Sequence, residues 1–296
     1  LSPNRRLQNT DAEELIQMNI SSGQVVLLTG ASGGLGSYMA QAFAELGTHL
    51  VLVAYPGVPL EDLKETLGKK GARAIALSAD LREPSQRRLV VDKAIQEFGK
   101  IDILVNNAGV EFTCPYHQLS EENIMDVLNI NLEAPMMLTH MVLPAMLKRK
   151  SGFIVNVSSL AGKSGPAFQE PYAATKAALV AFTTSLRATY RGSGVSASLI
   201  CPGFVEAGIY AKLKEKTGCA APALLGTSKP ETVARAVIRA IQKDAPEIII
   251  NQYPIRPLLA FITLFPSAGE WVIRNLGAHE FFRRVVEAQA RVKTQP

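Results

Sequence analysis

The chain has 296 residues, 47% hydrophobic and 19% charged, with 22 glycines and 17 prolines; this suits one large domain or two small ones and excludes disorder, collagen and coiled coil. A formal charge of +5 is too mild to mark a nucleic-acid binder, and the basic residues form no single stripe. Three scattered cysteines (Cys114, Cys201, Cys219) and four scattered histidines (His49, His117, His140, His279) make no disulfide or metal pattern, so no metal site and a reducing, cytoplasmic setting are expected.

Residues 1–22 form a polar extension. Its capping box, Thr10-Asp-Ala-Glu13, predicts a short helix to Met18, and the opening Leu1-Ser-Pro-Asn-Arg-Arg6 lacks the apolar run of a secretory signal. The apolar run 25–28 then reads as a buried strand leading into a glycine-rich turn. Further strands are predicted at 49–54, 74–78, 101–105, 153–157, 195–201 and 247–250. Helical patterns lie between them, near 35–46, 60–69, 84–98, 119–149, 171–191 and 230–243. Gly47 and Gly71 mark two helix ends, and Lys148-Arg-Lys150 suits the dipole at a third. Apolar strands alternating with helices predict an α/β domain over 23–252: a doubly wound, seven-stranded parallel sheet with helices on both faces.

Residues 253–296 read as a helical extension. Leu258, Leu259, Phe261, Ile262, Leu264 and Phe265 form an apolar segment, Pro266 opens a second helix, and Gly277 ends it. A last helix is predicted near 279–292, with Phe281, Phe282, Val285 and Val286 on one side. The uncharged run 257–269 is too short to span a bilayer, which takes ~20 residues. Together with Trp271, Val272 and Ile273, and flanked by Arg256, Arg274, Arg283 and Arg284, it suits a flap over a substrate entrance or a dock on a membrane surface. The alternative is a cap on the sheet or an interface between copies of the chain.

The first strand runs into Thr29-Gly-Ala-Ser-Gly-Gly-Leu-Gly36, whose glycines at 30, 34 and 36 allow a tight turn and close approach to a pyrophosphate at a helix N-terminus. The second strand ends Val53-Ala-Tyr-Pro-Gly57 without the carboxylate that would bind a ribose 2′-hydroxyl, and with no arginine to grip a 2′-phosphate. The missing acid favours NADP(H) over NAD(H). Tyr55 either stacks on adenine or is a loop aromatic. Asp80 follows the third strand and Asn106-Asn-Ala-Gly109 the fourth, both at the strand ends where such sheets bind ligands. Tyr172 and Lys176 share a helix face at i and i+4, where a lysine cation would lower the pKa of the phenol. Ser159 lies thirteen residues before Tyr172, just after a strand.

In this order and spacing, over residues 24–250, the motifs resemble the short-chain dehydrogenase/reductase family. The resemblance implies a Rossmann-type domain that transfers a hydride between nicotinamide and a carbonyl or alcohol. It implies that Thr29, Gly30, Ser32, Gly34, Leu35 and Gly36 form the cofactor loop. Asp80 and Leu81 would line the adenine pocket beside Tyr55, with Asn107, Ala108 and Gly109 near the adenine ribose. Pro202, Gly203 and Val205 would position the nicotinamide. Ser159 would polarise the carbonyl, Tyr172 exchange its proton, Lys176 hold the ribose and tune Tyr172, and Asn131 hold a water beside Lys176. The chain departs from the family at Ala207, where a threonine often bonds the nicotinamide amide. The resemblance also implies a homo-oligomer paired through the helices near 119–149 and 171–191.

Substrate walls are expected from residues 110–117, from 163–169, and from a lid over 206–228. Lys212, Lys214 and Lys216 in that lid read as a solvated helix face. The wall residues Phe112, Pro166, Phe168, Phe204, Ile209 and Tyr210 suggest a lipophilic carbonyl or alcohol, of steroid, retinoid or fatty-acyl type. A 3-oxoacyl carrier reductase is the nearest alternative; a catalytically silent nucleotide-binding scaffold is one of another class.

Overall fold

Strands covered on both faces need apolar side chains at successive positions, and this is why the strands read as unbroken apolar runs. In the computed structural model, which describes residues 20–294, seven strands pair in parallel. They are β1 (Val25–Thr29), β2 (His49–Ala54), β3 (Ala74–Ser78), β4 (Ile103–Asn106), β5 (Gly152–Val157), β6 (Val195–Pro202) and β7 (Glu247–Ile250). Their order is β3-β2-β1-β4-β5-β6-β7, so the chain reverses direction across the sheet between β1 and β4. The helix expected near residues 10–18 lies outside the described residues.

Side chains alternate between two cores, as a pleated strand requires. Val26, Leu28, Leu50 and Leu52 pack with α1 (Gly34–Ala44), α2 (Glu61–Lys69) and α8 (Pro230–Gln242). Val25, Leu27, Val51 and Val53 pack on the other face with α3 (Pro84–Phe98) and α5 (Ala134–Arg149). From α6 (Glu170–Thr189), Leu179 seats against Leu199 and Cys201 of β6. The strand expected over 101–105 begins two residues later. Asp102 is used instead as a brace, its carboxylate accepting the Val25 N–H at 2.9 Å.

The single helix expected over 119–149 is two, α4 (Glu121–Leu128) and α5, joined by a wide π turn at Asn129–Glu133. The turn brings Asn131 out of register to grip the backbone of Val110, its amide donating and accepting at 2.8 Å each. A π turn inside a helix is a frequent mark of a functional site and leaves apolar periodicity nearly intact.

The extension beyond the sheet is helical: α9 (Arg256–Leu264), α10 (Pro266–Asn275) and α11 (Ala278–Thr294). Pro266 opens α10, and Gly277, at φ 82°, follows its end. Gly269 lets α9 and α10 cross closely; a Cβ there would lie 2.7 Å from Ile262 Cα. Phe281, Phe282 and Val285 of α11 bury against Phe204 and against Tyr210 of α7 (Gly208–Thr217), the helix of the expected lid. Phe204 and Phe281 meet edge to face at 5.1 Å between centroids. The outer side of α9 and α10 leaves Leu264, Phe265 and Trp271 exposed. Among the described residues no helix is long and apolar enough to cross a membrane.

Phe281 is fully buried in an aromatic cluster that stands apart from the two sheet cores. Phe281→Ala is therefore expected to cost ~3–5 kcal/mol of local stability. Limited proteolysis should cut the α7–α11 region well before the sheet domain unfolds. Cleavage no faster than in the wild type would show that the cluster does not hold the tail.

Candidate active site

The carboxyl ends of β1 and β4 are tied together by Thr29 and Asn107. Thr29 Oγ1 accepts the backbone N–H groups of Asn107 and Ala108 at 3.0 Å each. Asn107 Nδ2 in turn donates to the Thr29 and Gly30 carbonyls at 3.0 and 3.1 Å. This is the point where the strand order reverses, the place where open α/β sheets take ligands. The turn after β1 has no room for side chains. Gly30 sits at φ 65° and a Cβ there would be 2.9 Å from Ala108 Cα. A Cβ on Gly36 would strike the Gly30 carbonyl, and one on Gly34 the backbone of Gly208.

A cavity of about 620 Å³ runs along this sheet edge. Gly30, Ser32, Gly34 and Leu35 line one end with Tyr55, Asp80, Leu81, Asn107, Ala108 and Gly109. Ser159, Tyr172, Lys176, Pro202, Gly203 and Val205 line the middle. Thr29, Gly36 and Asn131 stand behind the wall as supports. Phe204, Ile209, Tyr210 and Pro166 line the far end as expected. Phe112 and Phe168 do not. Glu111, not Phe112, faces the cavity, and Phe168, at φ 65°, packs into the cluster around Phe281. The inner faces of α9 and α10 add Leu258, Leu259, Ile262 and Ile273. Lys212, Lys214 and Lys216 are exposed, with Lys212 at the cavity edge.

The sequence shows no arginine at the end of β2, but the fold brings one there. Arg82, from the turn after β3, donates to the Tyr55 hydroxyl at 3.1 Å and places its guanidinium over the Tyr55 ring. It also binds the Asp80 carboxylate at 2.7 Å and Asp126 at 2.8 Å. The Arg82 hydrogen bonds hold Asp80 below the usual carboxylate range. Asp80 is thus committed to Arg82. No local sequence signal joins residue 55 to residue 82; only strand order does.

Ser159 and Tyr172 stand together on the cavity wall, where the Ser159 hydroxyl pulls the phenol pKa down. Ser159 Oγ also accepts the Ala161 N–H at 3.1 Å. Lys176 is buried, donates to the Val157 carbonyl at 2.8 Å, and lies 5.6 Å from the centre of the Tyr172 ring. Burial pushes Tyr172 up to about 12, against the pull of the Ser159 hydroxyl and with added repulsion from Glu111. Burial likewise brings Lys176 down to about 8. The expected lowering of the phenol by Lys176 is therefore corrected: the ammonium is turned to Val157, and desolvation dominates both groups. Asn131 clamps Val110 through both ends of its amide and also donates to Thr175 Oγ1 at 3.4 Å, on the helix that carries Lys176. Ala207 has no hydroxyl to offer, and its methyl group packs by Gly34.

Between about 8 and the ordinary lysine value of 10.5, the unfolded chain holds a proton that folded Lys176 has released. Stability then rises with pH across that window, because below it the buried cation costs its full amount. Lys176→Met removes this cost. Because it also removes the bond to Val157, the net effect is expected to be a rise of ~2–4 °C in the melting temperature of the cofactor-free protein at neutral pH, about what a net 1 kcal/mol gives at this size. The gain should shrink as the pH climbs toward the ordinary lysine value. A lower melting temperature at neutral pH would mean that the bond to Val157 outweighs the cost of burial.

The profile described as short chain dehydrogenase matches residues 24–218. A ketoacyl reductase, HetN, of a Nostoc species is 38% identical over 281 residues, 93% of this chain and 96% of the relative. A 3-oxoacyl-[acyl-carrier-protein] reductase, FabG, of Thermotoga maritima is 34% identical over 220 residues, 73% of this chain and 89% of the relative. Among solved structures, a variant actinorhodin polyketide ketoreductase with NADPH superposes with a TM-score of 0.72 at 28% identity, covering 77% of this chain and 95% of that one. A metagenomic short-chain oxidoreductase in complex with NADP gives 0.67 at 29% identity, covering 78% and 98%. With the glycine turn, the strand-end asparagine and the Ser159–Tyr172–Lys176 group at one sheet edge, these matches show that the chain belongs to the short-chain dehydrogenase family.

Proposed function

We propose that the protein reduces the ketone of a lipophilic, acyl-type substrate with NADP(H). The observation that carries this reading is the cavity itself. It sets the Ser159 and Tyr172 hydroxyls between a glycine-lined sheet edge and an apolar wall built by α9 and α10. The edge fits a dinucleotide, because the turn of Gly30, Ser32, Gly34 and Leu35 that lines it opens α1, a helix N-terminus suited to a pyrophosphate, and its glycines let it close against Ala108 and Gly208. The residues that would hold it are those of the Thr29–Gly36 turn, Asn107 to Gly109, Lys176, and Pro202 to Val205. When bound, the nicotinamide supplies the hydride.

Tyr172, protonated at neutral pH, is the group that gives a proton to the carbonyl oxygen. Ser159 donates a hydrogen bond to the same oxygen, where negative charge develops, from a position fixed by the Ala161 N–H. Lys176 lies beside Gly109, at 3.5 Å from where a Cβ would be, and so is placed to hold ribose hydroxyls. Two observations support NADP(H) over NAD(H): the end of β2 carries no acid, and Arg82 stands at the wall beside Tyr55. The solved relatives described above carry NADPH or NADP. The names of the ketoacyl reductase relatives favour a narrower second reading, a 3-oxoacyl chain on a carrier.

Two further surfaces belong to this reading. Exposed Met125 and Met136 on α4 and α5 suit pairing of copies through the long central helices, and exposed Leu264, Phe265 and Trp271 suit peripheral contact with a lipid surface. A concentration-independent monomer mass in light scattering, and no flotation with anionic liposomes, would remove each in turn.

The test of the main reading is NADPH oxidation with long-chain ketones and with 3-oxoacyl thioesters, free and carrier-bound. Wild-type enzyme should turn over at least one class, and Tyr172→Phe should lose ~100-fold or more in kcat while NADPH still binds. NADPH should also bind tighter than NADH, with the steeper salt dependence of a phosphate contact. Equal or tighter NADH binding would overturn the cofactor preference. Wild-type turnover in Tyr172→Phe would overturn the mechanism.

A further inference from the structure

One ionisable group in the cavity has no part in the chemistry above. Glu111 lies two residues past Gly109, on the segment that Asn131 clamps at Val110, and it lines the same cavity as Ser159 and Tyr172. Among the described residues no lysine or arginine forms an ion pair with it. Its carboxyl is held instead by neutral donors. The Thr113 hydroxyl donates to it, and Gln169, near enough to pull its pKa down, donates to Thr113 Oγ1 at 3.2 Å. Thr113 and Gln169 are each only 5% exposed. Gln169 is also the residue that opens α6, so the trio is built onto the helix that carries Tyr172.

A carboxyl without a counter-charge is costly in an apolar wall, and burial pushes Glu111 up from its ordinary value. Two buried side chains nonetheless fix it in one orientation with acceptor capacity left toward the cavity. Hydrogen bonding to a ligand is what would complete such a group. We propose that Glu111 is a specificity-determining residue: it accepts a hydrogen bond from a hydroxyl or amide N–H that the substrate carries close to its reacting carbonyl. The substrate is then lipophilic along its length but polar beside the ketone. This rests on the ketoreductase reading given above. Thr113 and Gln169 act through Glu111, as positioning residues that hold its carboxyl in place.

The test is a matched pair of long-chain ketones, one with a hydroxyl two carbons from the carbonyl and the other its methyl ether, both reduced with NADPH. The readout is the ratio of their kcat/KM values, with NADPH affinity measured alongside. Wild-type enzyme should prefer the hydroxy ketone by ~10-fold or more, since a site built to bond a donor rejects an analogue lacking one. Glu111→Leu should bring the ratio close to one. Glu111→Gln, whose amide oxygen still accepts, should keep part of the preference, and Thr113→Val should lower it by freeing the carboxyl. If Glu111→Leu fails to bind NADPH, Glu111→Gln and Thr113→Val decide, and an unchanged ratio in both overturns the proposal. Equal wild-type rates for the two ketones overturn it while leaving the ketoreductase reading in place. A preference that survives Glu111→Leu, with both rates falling together, overturns it as well and leaves Glu111 acting only by its charge on Tyr172. Turnover of neither ketone nor of any thioester overturns the ketoreductase reading, and this inference with it.

Discussion

The site depends on a lock between the end of β5 and the middle of α6. Lys176 Nζ donates to the Val157 carbonyl at 2.8 Å, and Ser158 Oγ donates back to the Lys176 carbonyl at 2.7 Å. Gly162 lets the two elements touch; a Cβ there would lie 2.6 Å from the Lys176 carbonyl carbon. The Ser158 N–H is fixed in turn by the Ile200 carbonyl of β6 at 2.8 Å. These contacts leave Ser159 and Tyr172 little freedom relative to each other, which is the condition for two hydroxyls to meet one carbonyl oxygen. They also account for a buried ammonium: its charge disfavours burial, but its bond to Val157 joins helix to strand.

The tail is the second determinant. Its α11 buries Phe281 and Val285 against Tyr210, so α7 and the tail form one packed unit. His279 Nδ1 accepts the Ala167 N–H at 3.1 Å, which ties the start of α11 to the loop before α6. The same helices that expose Leu264 and Trp271 outward turn Leu258, Leu259 and Ile262 into the cavity. The amphipathic pattern thus serves two faces at once. The sequence could not say which side was which, because both sides of α9 and α10 are apolar.

The sheet was legible because both of its faces are buried, so each strand announced itself as an apolar run between turns. Ser159, Tyr172 and Lys176 were legible from type and spacing alone. What escaped was whatever depends on contacts across the chain. The π turn at Asn129–Glu133 keeps the helical composition, so 119–149 read as one helix. Arg82 reaches Tyr55 only because β2 and β3 are neighbours, and Glu111 faces the cavity in place of Phe112 because of how Asn131 holds Val110. Ser158, next to Ser159 in the chain, closes the lock through a bond to the Lys176 carbonyl that only the fold reveals. Desolvation, which no sequence displays, reversed the expected balance between Tyr172 and Lys176.

The β5–α6 lock sets the reactive geometry. Ser158→Ala probes it, because Ser158 is buried and its truncation removes one bond of the lock without removing any side chain of Ser159, Tyr172 or Lys176. Losing one buried hydrogen bond costs ~1–3 kcal/mol. If that cost falls on the transition-state geometry, kcat for ketone reduction should drop by ~10-fold or more, the rate equivalent of ~1.4 kcal/mol, with NADPH affinity little changed. A Ser158→Ala enzyme that is less stable to heat but keeps wild-type kcat would show that the lock holds the fold and not the reactive geometry.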